Sequence, residues 1–118
     1  MAILNRMVQS QMLDRTFSAL SDPTRRDILE RLTAGPASIT ELARPYGISL
    51  PGVMKHVRIL EEAHLVSTEK RGRIRECRVD PGYIDDASAW IEHHRQQWER
   101  RLDRLDAYLA EQRKGAPR

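Results

Sequence analysis

Lys55 and Arg58 stand three residues apart in a stretch, 49–64, whose apolar positions Val53, Val57 and Leu60 recur at helical spacing. That period turns both cations, together with Pro51 and Glu62, to the opposite, outward side. Shortly downstream, Lys70, Arg71 and Arg73 crowd around a glycine. Cations so arranged suit charge-assisted hydrogen bonds to phosphate and to the acceptor edges of bases, which is the chemistry of binding rather than of bond cleavage.

Other reactive residues do not assemble a competing chemistry. Serine, histidine and acidic residues are present, but there is no strained nucleophile turn, no phosphate-cradling glycine loop and no histidine and cysteine cluster at ligand spacing. An enzyme is therefore not expected, nor is a cofactor. His93 and His94 are adjacent, so on a helix they point about 100° apart and cannot chelate from one face. No metal site is expected, and packing at an interface is the preferred role for this pair. Cys77 is the single cysteine. It cannot form an internal disulfide, so it reads as an inert, partly buried thiol rather than a redox switch.

Composition bounds the scaffold. The chain has 118 residues, 40% of them hydrophobic, 5% aromatic and 31% charged, with a formal net charge of +3. This is the size of one domain with a modest core, and oligomerisation would supply missing burial. The basic balance suits a phosphate partner without proving one. No run approaches the ~18 apolar residues of a membrane span, so neither export nor membrane insertion is expected and a cytoplasmic location follows.

The elements that must position the cations can be read in order. Met12, Leu13, Phe17 and Leu20 suggest a first amphipathic helix over 9–20. Ser21-Asp22-Pro23 starts a second helix, in which Ile28, Leu29 and Leu32 are buried while Arg25 and Arg26 face solvent or a phosphate. Gly35-Pro36 ends it. Ser38-Ile39-Thr40-Glu41 fits a reciprocal capping box opening a short third helix, which Arg44-Pro45-Tyr46-Gly47 breaks before Ile48 drops into the core. Ser49 caps the fourth helix. The period then switches to two over 65–70 and 74–80, around an Arg71-Gly72-Arg73 turn. From Tyr83 to about Arg113, Ile84, Ala87, Ile91, His94, Trp98, Leu102, Leu105 and Leu109 form a seam at three- and four-residue steps, longer than a small domain requires. It reads as a subunit interface. Residues 1–113 are expected to form one domain, and 114–118 a frayed tail.

A short helix, a glycine-containing turn and a serine-capped second helix over 38–64 is the layout of a helix-turn-helix, and the basic hairpin behind it is a wing. The expected fold is mainly α, a winged helix-turn-helix of four helices, a two-stranded wing and a long C-terminal dimerisation helix. In that layout the fourth helix enters a major groove with its N-terminal end. Lys55 and Arg58 then reach base edges, Ser49 and the first-turn amides hold a phosphate, and Gly52 permits close approach. Arg71 and Arg73 embrace the backbone or a narrow minor groove. The alternative for these arginines is a charged edge that discourages aggregation. His56, close to the buried side of the wheel, is read both as a base contact and as a hydrogen-bonded structural group. Arg25 completes the expected DNA-contacting set.

Several strings resemble the ArsR/SmtB-like winged-helix repressors, in particular their metal-independent members: Ala19-Leu20-Ser21-Asp22-Pro23-Thr24-Arg25-Arg26-Asp27-Ile28-Leu29, then Glu41-Leu42-Ala43, Ser49-Leu50-Pro51, Lys55-His56, and Leu60-Glu61-Glu62-Ala63 with Leu65-Val66. The resemblance implies a homodimer joined by the first and last helices, with Leu13, Phe17, Ile84, Ile91, Trp98, Leu102 and Leu105 at the interface. It further implies repression of nearby genes and release from DNA by an effector of unknown chemistry. Two-fold symmetry then requires double-stranded operator DNA with an inverted repeat, its half-sites about one helical turn apart. The sequence departs from the family pattern in four places, one being that His93 and His94, with Asp85 and Asp86 nearby, do not match the family's aspartate and histidine zinc spacing. The third helix lacks the cysteine pair of the metal sensors, His64 stands where glycine commonly follows the fourth helix, and Met54 stands where serine is usual. A winged-helix module that binds another protein, and less readily a metal- or redox-responsive sensor, are the alternatives.

Overall fold

The computed structural model describes residues 2–82 and 84–115, and the chain divides into two compact units at the Asp86 and Ala87 boundary. The first unit holds α1 (Ala2–Leu20), α2 (Pro23–Thr33), β1 (Ala37–Ser38), α3 (Ile39–Ala43), α4 (Leu50–Glu62), β2 (Val66–Arg71) and β3 (Ile74–Val79). A 3₁₀ turn, Arg44–Tyr46, follows α3. The long helix α5 (Ile84–Gly115) begins at the end of the first unit and, from Ala87 on, makes up the second. The expected helix start at Tyr83 lies outside the described residues. So do 116–118 of the expected tail, while Lys114 and Gly115 still belong to α5.

Capping defines the helices of the first unit. The Asp22 carboxylate accepts the Arg25 N–H at 3.0 Å and Pro23 occupies the first turn of α2, where a missing N–H costs nothing. Ser38 accepts the Glu41 N–H at 3.1 Å. The Glu41 side chain does reach back, but it accepts the Ser38 hydroxyl at 3.2 Å, which differs from the expected reciprocal bond to the backbone. Gly47, at φ 62°, supplies the left-handed step between the 3₁₀ turn and the extended Ser49 cap of α4.

The core of this unit is one cluster in which Ile28 and Leu32 of α2, Leu42 of α3, and Val53, Val57 and Leu60 of α4 meet Leu65, Val66 and Cys77. Ile48, expected among them, is instead 40% exposed. With Gly47 left-handed and Ser49 extended, the chain leaves the turn along the surface.

The wing carries a third strand that the sequence did not announce. The sheet order is β1-β3-β2, antiparallel throughout, with Ala37 opposite Cys77 and Ser38 opposite Glu76. On the other side Arg71 pairs with Ile74, so the hairpin loop is the two residues Gly72 and Arg73 rather than three. Gly72 has φ 63° while Arg73 does not share a positive φ, the pattern of a type II′ turn whose twist matches the strands.

Candidate nucleic-acid interface

The α4 helix presents the two faces that its spacing requires. Val53, Val57 and Leu60 are buried, and Pro51, Lys55, Arg58 and Glu62 are on the outer side. At its start the Ser49 hydroxyl accepts the Gly52 N–H at 3.3 Å. A Cβ on Gly52 would lie 3.4 Å from that hydroxyl, an ordinary contact, so the cap itself does not demand glycine. At its end His64 adopts φ 57°. The Leu65 N–H bonds to Leu60 O and the His64 N–H to Glu61 O, both at 3.0 Å, which is the Schellman closure with histidine in the place that glycine usually takes.

The wing is fastened to this helix by side chains. Glu61 of α4 accepts from both the N–H and the hydroxyl of Thr68, at 3.1 and 2.6 Å, and the Thr68 hydroxyl in turn accepts from Arg75 of β3 at 2.9 Å. One carboxylate thus bridges the end of the helix and the hairpin, beside the core contact of Leu60 with Leu65 and Val66. Sequence reasoning did not find this link, because Glu61 and Thr68 carry no motif and meet only when the strand folds back on the helix end.

The expected contact residues fall into two groups. The side chains of Lys55, Arg58, Lys70 and Arg73 make no hydrogen bond or ion pair with any other described residue. Arg71 meets only Glu69, at 3.4 Å, with both side chains 60% exposed, a pairing worth little in water. These five cations lie on the flank of α4 and at the tip of the hairpin, one body held by Glu61.

Arg25 and His56 belong to a different arrangement. The Arg25 guanidinium donates to Ala19 O at 2.8 Å and to Ser18 O at 3.1 Å, and it lies 3.4 Å from His56 Nδ1. Arg26 donates to Leu20 O at 2.7 Å. The expectation left both arginines free; the open carbonyls at the end of α1 instead accept from each guanidinium, although Arg26 stays exposed while Arg25 is half-buried. His56 is half-buried between α4 and the start of α2, with Nδ1 also 3.9 Å from Asp22.

A family model described as a helix-turn-helix domain matches residues 20–69, which span α2, α3, α4 and most of β2. A crystal structure of an ArsR family transcriptional regulator superposes with TM-score 0.73 and 40% identity, over 76% of this chain and 93% of that one. The chain belongs to the ArsR family of transcriptional regulators. Among relatives, the HTH-type transcriptional regulator Rv2034 of Mycobacterium tuberculosis is 44% identical over 58% of this chain, which spans 64% of that protein's length. Transcriptional repressor SdpR of Bacillus subtilis is 30% identical, over 67% of this chain and 88% of SdpR. The ArsR family is one of regulators and not of enzymes, in agreement with the non-catalytic reading.

Among the described residues, no three of the His, Cys, Asp and Glu side chains gather closely enough to hold a metal ion. Nor is any described helix long and apolar enough to cross a membrane. In the second unit, Ile91, Trp98, Leu102, Leu105 and Leu109 of the seam are exposed, Trp98 by 63%. In the first, Ile84 and Phe17 are exposed and Leu13 is half-buried.

Proposed function

We propose that this chain is a cytoplasmic, homodimeric repressor that occupies an inverted-repeat operator, with residues 1–113 acting as one DNA-binding and dimerising domain. Lys55 and Arg58 read base edges in the major groove, and Ser49, Pro51 and Gly52 bring the start of α4 against a phosphate. Arg71 and Arg73 grip the flanking backbone. The observation that carries the reading is the set of unpartnered cations on α4 and the wing tip, joined through Glu61, Thr68 and Arg75. Folding gains nothing from leaving those charges unpaired, whereas a polyanion neutralised by them releases counterions. Arg25 and His56 contribute by holding α4 in place.

Homodimerisation is supported by the apolar seam of α5, which water would otherwise cover. Repression fits the name of SdpR and the simple physics of a protein that covers promoter DNA. Release from DNA by an effector is carried over from the family likeness.

The test is a duplex selection followed by anisotropy titrations of the full chain over a range of salt. Lys55→Ala and Arg58→Ala should change which sequences are enriched. Arg71→Ala combined with Arg73→Ala should weaken all duplexes alike and flatten the salt slope by about one unit for each phosphate no longer neutralised. Salt-independent binding, or an enriched sequence that neither α4 variant alters, would remove the assignment.

A further inference from the structure

Leu50 and Met54 stand one turn apart on α4 and, with Ile74 of β3, line an open cleft of about 570 Å³ between the helix-turn-helix and the wing. They are 47%, 38% and 59% exposed. Lys70 and Arg73 line the same cleft, and Lys55 and Arg58 flank Met54 on the helix. Exposed apolar side chains in the middle of an unpaired cationic surface serve neither the core, which lies on the other face of α4, nor phosphate binding. They match one feature of a duplex: the C5-methyl of thymine, the apolar group on the major-groove edge of a base pair.

We infer that Met54, supported by Leu50, reads a thymine methyl in each operator half-site and so determines part of the specificity. The inference rests on α4 being the recognition helix. Charge complementarity selects this occupant over a second copy of the chain, because placing this face against itself would set Lys55, Arg58, Lys70 and Arg73 against their own kind. Serine at this position would instead offer a hydroxyl, which pairs with several bases; the thioether commits the site to apolar contact.

The probe is a duplex taken from selection with the full chain, in which each thymine in turn is replaced by deoxyuridine, removing the methyl group and nothing else. One replacement per half-site should weaken binding roughly fourfold, the value of one buried methyl. Met54→Ala should bind the thymine and deoxyuridine duplexes equally, and Met54→Leu should recover the discrimination; circular dichroism checks that both are folded. Specific binding that is indifferent to every replacement overturns the inference and leaves the DNA reading intact. Discrimination that persists in Met54→Ala overturns it as well, by assigning the methyl to another residue. If no duplex is enriched and affinity does not fall with salt, the reading of α4 and this inference fail together.

Discussion

The Nδ1 atom of His56 on α4 lies 3.4 Å from Nη1 of Arg25 on α2, and the same guanidinium donates to Ser18 and Ala19 at the end of α1. One half-buried side chain therefore joins three helices, with the imidazole accepting at Nδ1. Arg25→Ala leaves two carbonyls and a ring nitrogen without their donor. It should cost about 2 kcal/mol, and Arg25→Lys should recover only part because an ammonium lacks the fork. Urea unfolding measures this, and an unmoved midpoint for Arg25→Ala would show that the contacts carry no net stability.

Asp22, beside that junction, gives a pH dependence. The Arg25 N–H donated to its carboxylate, helped by the Arg25 charge, holds it below its ordinary value of 3.8 in spite of desolvation. A pKa depressed by folding means that the stabilisation is complete above the unfolded value and is lost as pH falls through the folded one. Asp22→Ala should cost about 1 kcal/mol near neutrality. The difference between the two proteins should shrink as pH falls below 3.8, in urea curves run at neutral and at acidic pH. A difference independent of pH would mean that the cap acts through shape alone.

The inner face of α4 was legible because burial imposes a period: Val53, Val57 and Leu60 can only share a face if the segment is a helix, and Ser49 and Gly47 punctuate its start. The hairpin was legible for a similar reason, since Gly72 sits where a two-residue turn needs positive φ. Other features had no local signature. Ala37–Ser38 is too short to show alternation, and its pairing partner lies far along the chain. The first turns of α1 were missed because Ile3, Leu4, Met7 and Val8, although their spacing puts them on one side of the helix, are all exposed, so no buried residue anchors that stripe to the core. Arg25 and Arg26 read as free cations because the carbonyls that bind them belong to the preceding helix end, which the residue types do not mark.

His64 holds the left-handed position of the Schellman closure at φ 57°, where a Cβ is crowded against the backbone. His64→Gly should therefore stabilise the protein by about 1 kcal/mol, the cost of a non-glycine residue in that conformation. A rise in the denaturant midpoint is expected. A fall would show that the imidazole contributes more than its backbone strain takes away.

Burial, then the neighbouring Glu61 carboxylate, pushes the Cys77 thiol up from 9.0 to about 11. It lies in the sheet centre, between Ala37 and Thr68. The folded protein should resist a thiol reagent at neutral pH and react fully once unfolded in urea. Because folding raises this pKa, the stabilisation is present below 9.0 and declines as pH rises toward 11. Cys77→Ala should lack that alkaline decline, though the missing side chain lowers its stability at neutral pH. Prompt labelling of the native protein would contradict the buried placement.

Trp98 is 63% exposed on α5, in line with Leu102, Leu105 and Leu109 on one flank of the helix. Single exposed apolar residues are ordinary, but a continuous row of large ones in water is not, and a second copy of the chain would cover it. Trp98→Asp puts a charge where that contact would be dry, a cost of several kcal/mol without a partner. Because Trp98 is exposed in the single chain, the helices should survive, so circular dichroism should change little while sedimentation shifts from dimer to monomer. Affinity for a duplex carrying both half-sites should fall toward that for one half-site, since a monomer forfeits the gain from simultaneous engagement. An intact dimer in sedimentation would place the subunit contact elsewhere on the chain, and would leave the apolar flank of α5 to a different partner.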